Sequence, residues 1–535
     1  MSSFDTRSAL GFAVVLTAAV VASCASRPAT PAAFSEAALA SSQDALHAAA
    51  PASTSNALMS SPPEYADRPI SPEAGADYFL RTGAGDPYAA GMAYPVFLAL
   101  MEAYPDALGR DWNAFADRFG FVRDPDAKGD PKAPPVGFHL TIDPATRVPW
   151  VVTNCQMCHA ERLRLPAGDV VVAGLGNKRV RPHAYANALL RIGADPALDV
   201  ARIEALATKR AEEWGVPWDP SMRAAIVKAT VSGLTSLAAK TGARSAHFDA
   251  ALPGRVATIE SFAMALDQYR SAPIPFPEAT GWTKVPDVVG FPYRETFSYD
   301  ASGYGSPQAL VLEASFVFGT RPEWYVAHPH IATSMYLYLR SFRRTLDYPR
   351  PIDAALAARG HERFDATCAR CHGTYVSRGG ETRVLYSESV IPTSYVGTDP
   401  ARADAVTPAF VDAANSFPLT QGLTRVHNTG GYVPPVLLDV WARGVFGHAG
   451  QWPSLEVLAT KPDDRPRRFI VDTEGAYDLD RVGVRYEATR ADRKLRAGEY
   501  VYDARTPGLG VGGHPFLANL AAEDRRAVIE YVKTL

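Results

Sequence analysis

Cys155-Gln156-Met157-Cys158-His159 and Cys368-Ala369-Arg370-Cys371-His372 are the two places where residue type and spacing together specify a chemistry. Two thiols one helical turn apart reach the two vinyl groups of one porphyrin, and the adjacent imidazole meets the iron from the same side. Each motif reads as an attachment site for a covalent haem c, two in all, with His159 and His372 as proximal iron ligands. Two CxxC pairs can also hold one zinc ion, but zinc ribbons place their pairs close together, and here roughly two hundred residues intervene. A thioredoxin-like pair would need a βαβ setting, which the pattern lacks.

The second axial ligand decides what such an iron does. Methionine raises its potential, histidine keeps it lower, and a vacant side admits oxygen or peroxide. Met335 is the last methionine, so a ligand for the second haem from its own part of the chain is His427, His448 or His514. His514 stands in Gly512-Gly513-His514-Pro515, a loop able to fold back over a haem face. For the first haem three options stay open: His183 at a helix start, Met264 on a predicted helix, or an open position.

These residues need elements to hold them. Apolar spacing predicts amphipathic helices around Tyr94–Tyr104, Trp112–Phe119, His183–Ile192, Met222–Lys240, Ile259–Tyr269, Ile331–Phe342 and Ala521–Leu535. Strand signals are short and few, at Asp169–Val172 and Arg468–Val471. The expected fold is mainly α: two c-type cytochrome lobes with long ordered loops and little β-structure. Pro349-Arg350-Pro351 reads as the linker between a lobe of residues 65–348 and a lobe of residues 349–535.

Ahead of the first lobe, an apolar run from Ala9 to Ala22 follows Arg7 and ends at Ser23-Cys24. The run is shorter than a membrane span and fits an export signal. Val21-Ala22-Ser23-Cys24 resembles a lipobox, so residues 1–24 are expected to be a lipoprotein signal, with Cys24 lipidated as a membrane anchor. Residues 25–64, rich in Ala, Ser and Pro, read as a tether. The expected location is the periplasm or the outer membrane. Lys+Arg number 54 against 57 Asp+Glu, which excludes the basic excess of a nucleic-acid binder. Five cysteines in 535 residues exclude a disulfide scaffold.

The ordered set of motifs resembles the bacterial di-haem peroxidase superfamily, and most closely its rubber-oxygenase branch. The resemblance rests on Pro135-Val136-Gly137-Phe138 and Trp150 before the first motif, and on Tyr338-Leu339-Arg340-Ser341 leading into the second. It continues through Val396-Gly397-Thr398-Asp399-Pro400, Tyr432-Val433-Pro434-Pro435, Trp441-Ala442-Arg443, Phe446-Gly447-His448-Ala449-Gly450 and Gly513-His514. It implies that His514 is the distal ligand of the second haem and that His448 lies beside that haem rather than on it. It also implies an aromatic bridge between the haems. The family uses Trp followed by Asp; the match here is Tyr299-Asp300, with Tyr in place of Trp. An acidic residue over the active haem would be Glu313, set among apolar residues that would raise its pKa for acid/base work on peroxide.

The resemblance implies a di-haem oxidoreductase in which one haem activates peroxide or dioxygen and the other relays electrons. As a peroxidase it would draw on an electron-donor protein. As an oxygenase it would cleave an apolar unsaturated substrate, with Trp282–Tyr325 as a candidate pocket wall. The alternative is a non-catalytic periplasmic electron-transfer cytochrome.

Overall fold

Apolar residues at helical spacing fold into helices that turn that side inward. Trp112–Phe119, Pro182–Ala194, Arg223–Ser245, Thr258–Asp267, Pro329–Ser341 and Ala522–Val532 are α-helical. The computed structural model describes Tyr65 and residues 68–83, 85–296, 298–305, 324, 327–343, 346–378, 381–418 and 424–535. The expected signal, Cys24, the tether and Glu313 lie outside the described residues. No helix among the described residues is long and apolar enough to cross a membrane.

The expectation of a mainly α protein with little β-structure is overturned. The described residues are 41% helical and 15% strand, a mixed α/β fold with many small antiparallel sheets. Seven sheets of two or three strands form among the described residues. The strands run only two to six residues, and most are not alternating apolar runs. Ala160–Leu165, for instance, contains Glu161, Arg162 and Arg164. Such short strands mix charged and apolar residues even where they are buried, so they leave little pattern in the sequence. The two predicted strands are present as parts of Gly168–Ala173 and Arg468–Asp472.

The two parts of the chain are built alike around their CxxCH motifs. Each motif leads straight into a β-hairpin, Ala160–Leu165 with Gly168–Ala173 after the first and Thr374–Arg378 with Glu381–Leu385 after the second. Each also has an early helix crossing a late one. Pro72–Leu80 packs on Pro329–Ser341, and Ala354–Thr367 packs on Ala522–Val532. Both crossings close on a glycine. A Cβ on Gly75 would stand 1.9 Å from Ser334 O and 2.8 Å from Tyr338 Cβ; one on Gly360 would stand 1.9 Å from Ala527 O and 2.9 Å from Tyr531 Cβ. Four residues on from each glycine, Phe79 and Phe364 lie against those same tyrosines, with ring centres 5.4 and 5.3 Å apart. The first copy differs by the long insertion between its early helix and its CxxCH motif.

Two large apolar cores each take residues from both sides of Pro349-Arg350-Pro351. The first is anchored by aromatics such as Trp112, which stacks on Phe97 at 4.9 Å. Burying each such ring contributes roughly 2–3 kcal/mol. Strand Thr424–Val426 pairs with Gly303–Gly305, a further cross-link between the two parts.

Candidate haem sites

Each CxxCH motif forms one helical turn, Gln156–His159 and Ala369–His372. Cys155 O accepts the His159 N–H at 2.9 Å, and Cys368 O accepts the His372 N–H at 3.0 Å. A turn of this pitch carries positions three and four apart on one side, so both thiols and the imidazole face the same way. All four thiols are unlinked to one another. Burial pushes Cys155 and Cys158 up to about 12 and Cys368 up to about 11, which holds these sulfurs protonated. Among the described residues no cluster of three or more His, Cys, Asp or Glu side chains forms, so the two pairs do not meet around one ion.

The two proximal histidines share one further arrangement. His159 Nδ1 donates to Pro286 O at 2.9 Å, and His372 Nδ1 donates to Pro435 O at 2.8 Å. A carbonyl only accepts, so both rings carry their proton on Nδ1 and keep a lone pair on Nε2. That is the tautomer and the second partner a metal-binding imidazole requires. Burial lowers the pKa of both rings, which keeps them neutral and able to bind metal.

Around His372 lies an apolar cavity of about 230 Å³. Cys368, Cys371, His372, His514 and Tyr299 all line it, so the structure brings together every predicted residue of the second site and the candidate bridge. His372 is only half-buried by its surface because one face opens on this space. His514 stands opposite, with ring centres 6.2 Å apart and planes at 54°. Two imidazoles gripping one metal at about 2 Å each have ring centres roughly 6 Å apart. His514 Nδ1 is buried without a hydrogen-bond partner, and burial brings the ring down to about 3. The apolar walls, the flanking thiols and this spacing fit an iron porphyrin.

The loop carrying His514 is held by a residue that sequence reasoning missed. Arg465, 2% exposed, donates to Val511 O at 3.0 Å, Gly513 O at 2.7 Å and His514 O at 3.3 Å, and also to Leu458 O and Thr460 O. Gly513 and His514 both take left-handed backbone, φ 74 and 46°. A Cβ at Gly513 would sit 2.2 Å from Gly397 C, so only glycine fits there. Nothing in Asp464-Arg465-Pro466 distinguishes this arginine from a surface one.

The other candidate ligands, His448, His427, His183 and Met264, have their own surroundings. His448 lines the same cavity, stacked on Tyr432 at 4.3 Å, and burial lowers it to about 4. His427 is outside that lining; its ring centre lies 6.4 Å from Tyr304. His183 accepts the Ala257 N–H on Nε2 at 3.0 Å and stacks on Phe248 at 4.3 Å, so that nitrogen is engaged. Met264 is buried in the first core. Near the first motif, Phe79 lies 6.2 Å from the His159 ring.

Tyr299 is fixed from both sides. Its carbonyl accepts the Val433 N–H at 2.7 Å, two residues before the proline that holds His372. Next to it, buried Asp300 pairs with Arg402 at 2.6 Å and accepts from Ser298 and Ser302. The Tyr299 hydroxyl is buried without a partner, and burial raises its pKa far above the ordinary range. Between the two proline carbonyls lies a buried ion pair: Asp287, next to Pro286, meets Arg443 at 3.3 Å. Arg443 in turn donates to Val436 O and Leu438 O, just beyond Pro435.

No protein-family model matches the chain, and no curated protein sequence matches it. Among solved structures, hydrazine synthase from Kuenenia stuttgartiensis, determined under 20 bar xenon, is similar at 16% identity over 49% of this chain and 75% of that one. The TM-score is 0.22, a likeness too slight to carry an argument about fold or function.

Proposed function

We propose that the chain is a di-haem c-type oxidoreductase of the di-haem peroxidase superfamily, similar to its rubber-oxygenase branch. It would be exported and lipid-anchored through Cys24. The observation that carries the reading is the pair His372 and His514, facing each other across a cavity flanked by Cys368 and Cys371. The matching His159–Pro286 contact supports a second, equivalent attachment at Cys155 and Cys158. A bound haem supplies one-electron chemistry and, where its sixth position is open, a place for peroxide or dioxygen.

The chain's own residues set the division of labour. His514 and His372 would hold the iron of the second haem between them, which suits storage or relay of electrons. His159, held by Pro286 O, would bind the iron of the first haem, and that site is the candidate for the oxidant. Tyr299, buried on the cavity wall with its pKa raised by that burial, is suited to remain a neutral aromatic between the two.

The test is direct. Purified holoprotein should carry the mass of two haems. Its oxidised EPR spectrum should combine one low-spin centre with one high-spin centre that changes when peroxide is added. His514→Ala should turn the low-spin centre high-spin. Two low-spin centres that ignore peroxide and dioxygen would replace the enzyme reading with the electron carrier. Assays on polyisoprene under oxygen, and on peroxide with a reduced donor, separate oxygenase from peroxidase.

A further inference from the structure

The cavity at His372 and His514 is largely apolar; on its polar wall Asp287 and Arg443 pair with each other, and Lys284, Gln451 and Tyr299 line the same space. Lys284 ends the strand Trp282–Lys284, which belongs to the first part of the chain, yet its side chain lines the cavity of the second. Its backbone N–H donates to His448 O at 2.7 Å, which pins it to the His448–Gln451 turn. Its Nζ lies 5.8 Å from the Tyr299 ring centre. Among the described residues no carboxylate pairs with it. Asp287 is taken by Arg443 at 3.3 Å, and Glu161 is taken by Lys178 at 3.3 Å.

Two further donors share the wall. Gln451 is fully buried; its Oε1 accepts the Ala449 N–H at 3.0 Å, and its Nε2 is buried without a partner. The Tyr299 hydroxyl is likewise buried and unpartnered. An ammonium without a carboxylate partner and a buried amide N–H and hydroxyl without acceptors are costly unless a ligand answers them. Carboxylate oxygens accept only and bring both the charge and the lone pairs that such donors lack.

We propose that Lys284, Gln451 and Tyr299 form a carboxylate-binding site that receives a carboxylate side chain of the second porphyrin, so that the first part of the chain completes the haem site of the second. The inference rests on the di-haem reading. An iron porphyrin tethered by its vinyl edge at Cys368 and Cys371 carries two carboxylates away from that edge. A cation beside them offsets the charge that reduction adds at the iron, which raises the potential.

The experiment uses the full-length holoprotein with Lys284→Met, Lys284→Arg and Gln451→Leu. Mass spectrometry first counts haems; absence of covalent haem would remove the underlying reading rather than this one. With both haems in place, spectroelectrochemistry should show the His372/His514 haem shifted to lower potential in K284M and restored in K284R. Resonance Raman carboxylate-bending bands of that haem should shift in K284M and in Q451L. Unmoved potential and bands would overturn the proposal. Titration of the wild type with acetate covers the other source of a carboxylate. A saturable spectral change that is lost in K284M would assign the wall to a free acid and overturn the porphyrin assignment, whereas indifference to acetate supports it.

Discussion

At the scale of single residues, the chemistry was legible wherever covalent spacing dictates it. Cys155, Cys158, His159, Cys368, Cys371 and His372 are adjacent in the chain, and one helical turn suffices to aim them. His514 was reachable by elimination and resemblance. Arg465 was not, because a guanidinium that binds five carbonyls through the fold carries no local mark in sequence. Its effect is testable. Holding a histidine in left-handed backbone costs about 1 kcal/mol, and the Arg465 contacts to Val511, Gly513 and His514 offset that. Arg465→Gln leaves several buried carbonyls without a donor and should cost about 3 kcal/mol in urea unfolding. In the di-haem reading it should also convert part of the second centre to high-spin in EPR. Lost stability with a wholly low-spin centre would mean that Arg465 supports the loop without aiming His514.

At the scale of elements, the helices were legible and the sheets were not, for one reason. Trp112–Phe119 buries Trp112, Phe115 and Phe119 on a single side, so its pattern is written by the core it enters. Hairpins such as Thr374–Arg378 with Glu381–Leu385 bury Tyr375 and Val384 but expose Val376 and Leu385, so apolar residues stand on both faces and write no alternation in the sequence. The duplicated architecture was also hidden. It resides in two glycine crossings and two histidine–proline contacts separated by unequal insertions, which no fixed-period search detects. The duplication makes a paired prediction. Gly→Ala within a helix gains about 1 kcal/mol in propensity. At Gly75 and Gly360, however, the new methyl would meet a backbone carbonyl at 1.9 Å, and the helices must part. Gly75→Ala and Gly360→Ala should each destabilise by about 2 kcal/mol net. Thermal unfolding of the two variants measures this; a stabilising result at either position would mean that the crossing is looser than the contact implies.

At the scale of the whole molecule, the two sites meet through Asp287 and Arg443. Asp287 adjoins the proline whose carbonyl holds His159, and Arg443 grips the segment beyond the proline whose carbonyl holds His372. Both side chains are buried, so the pair is little screened and its separation is set by packing. Removing either partner alone should cost about 3 kcal/mol, because it strands the other charge. Asp287→Asn together with Arg443→Gln should cost less than the two single changes summed. The electrostatic consequence has a defined sign. In the di-haem reading, losing the Asp287 charge should raise the potential of a haem held by His159, and losing the Arg443 charge should lower that of a haem held by His372. Because each charge also fixes the other's position, each single change should move both potentials, and the second substitution should have less effect in the double variant than alone. Potentiometric titration of the four proteins, followed by haem-resolved EPR, measures this directly. Two independent shifts that simply add would show that the proximal sides of the two sites are neighbours without being coupled.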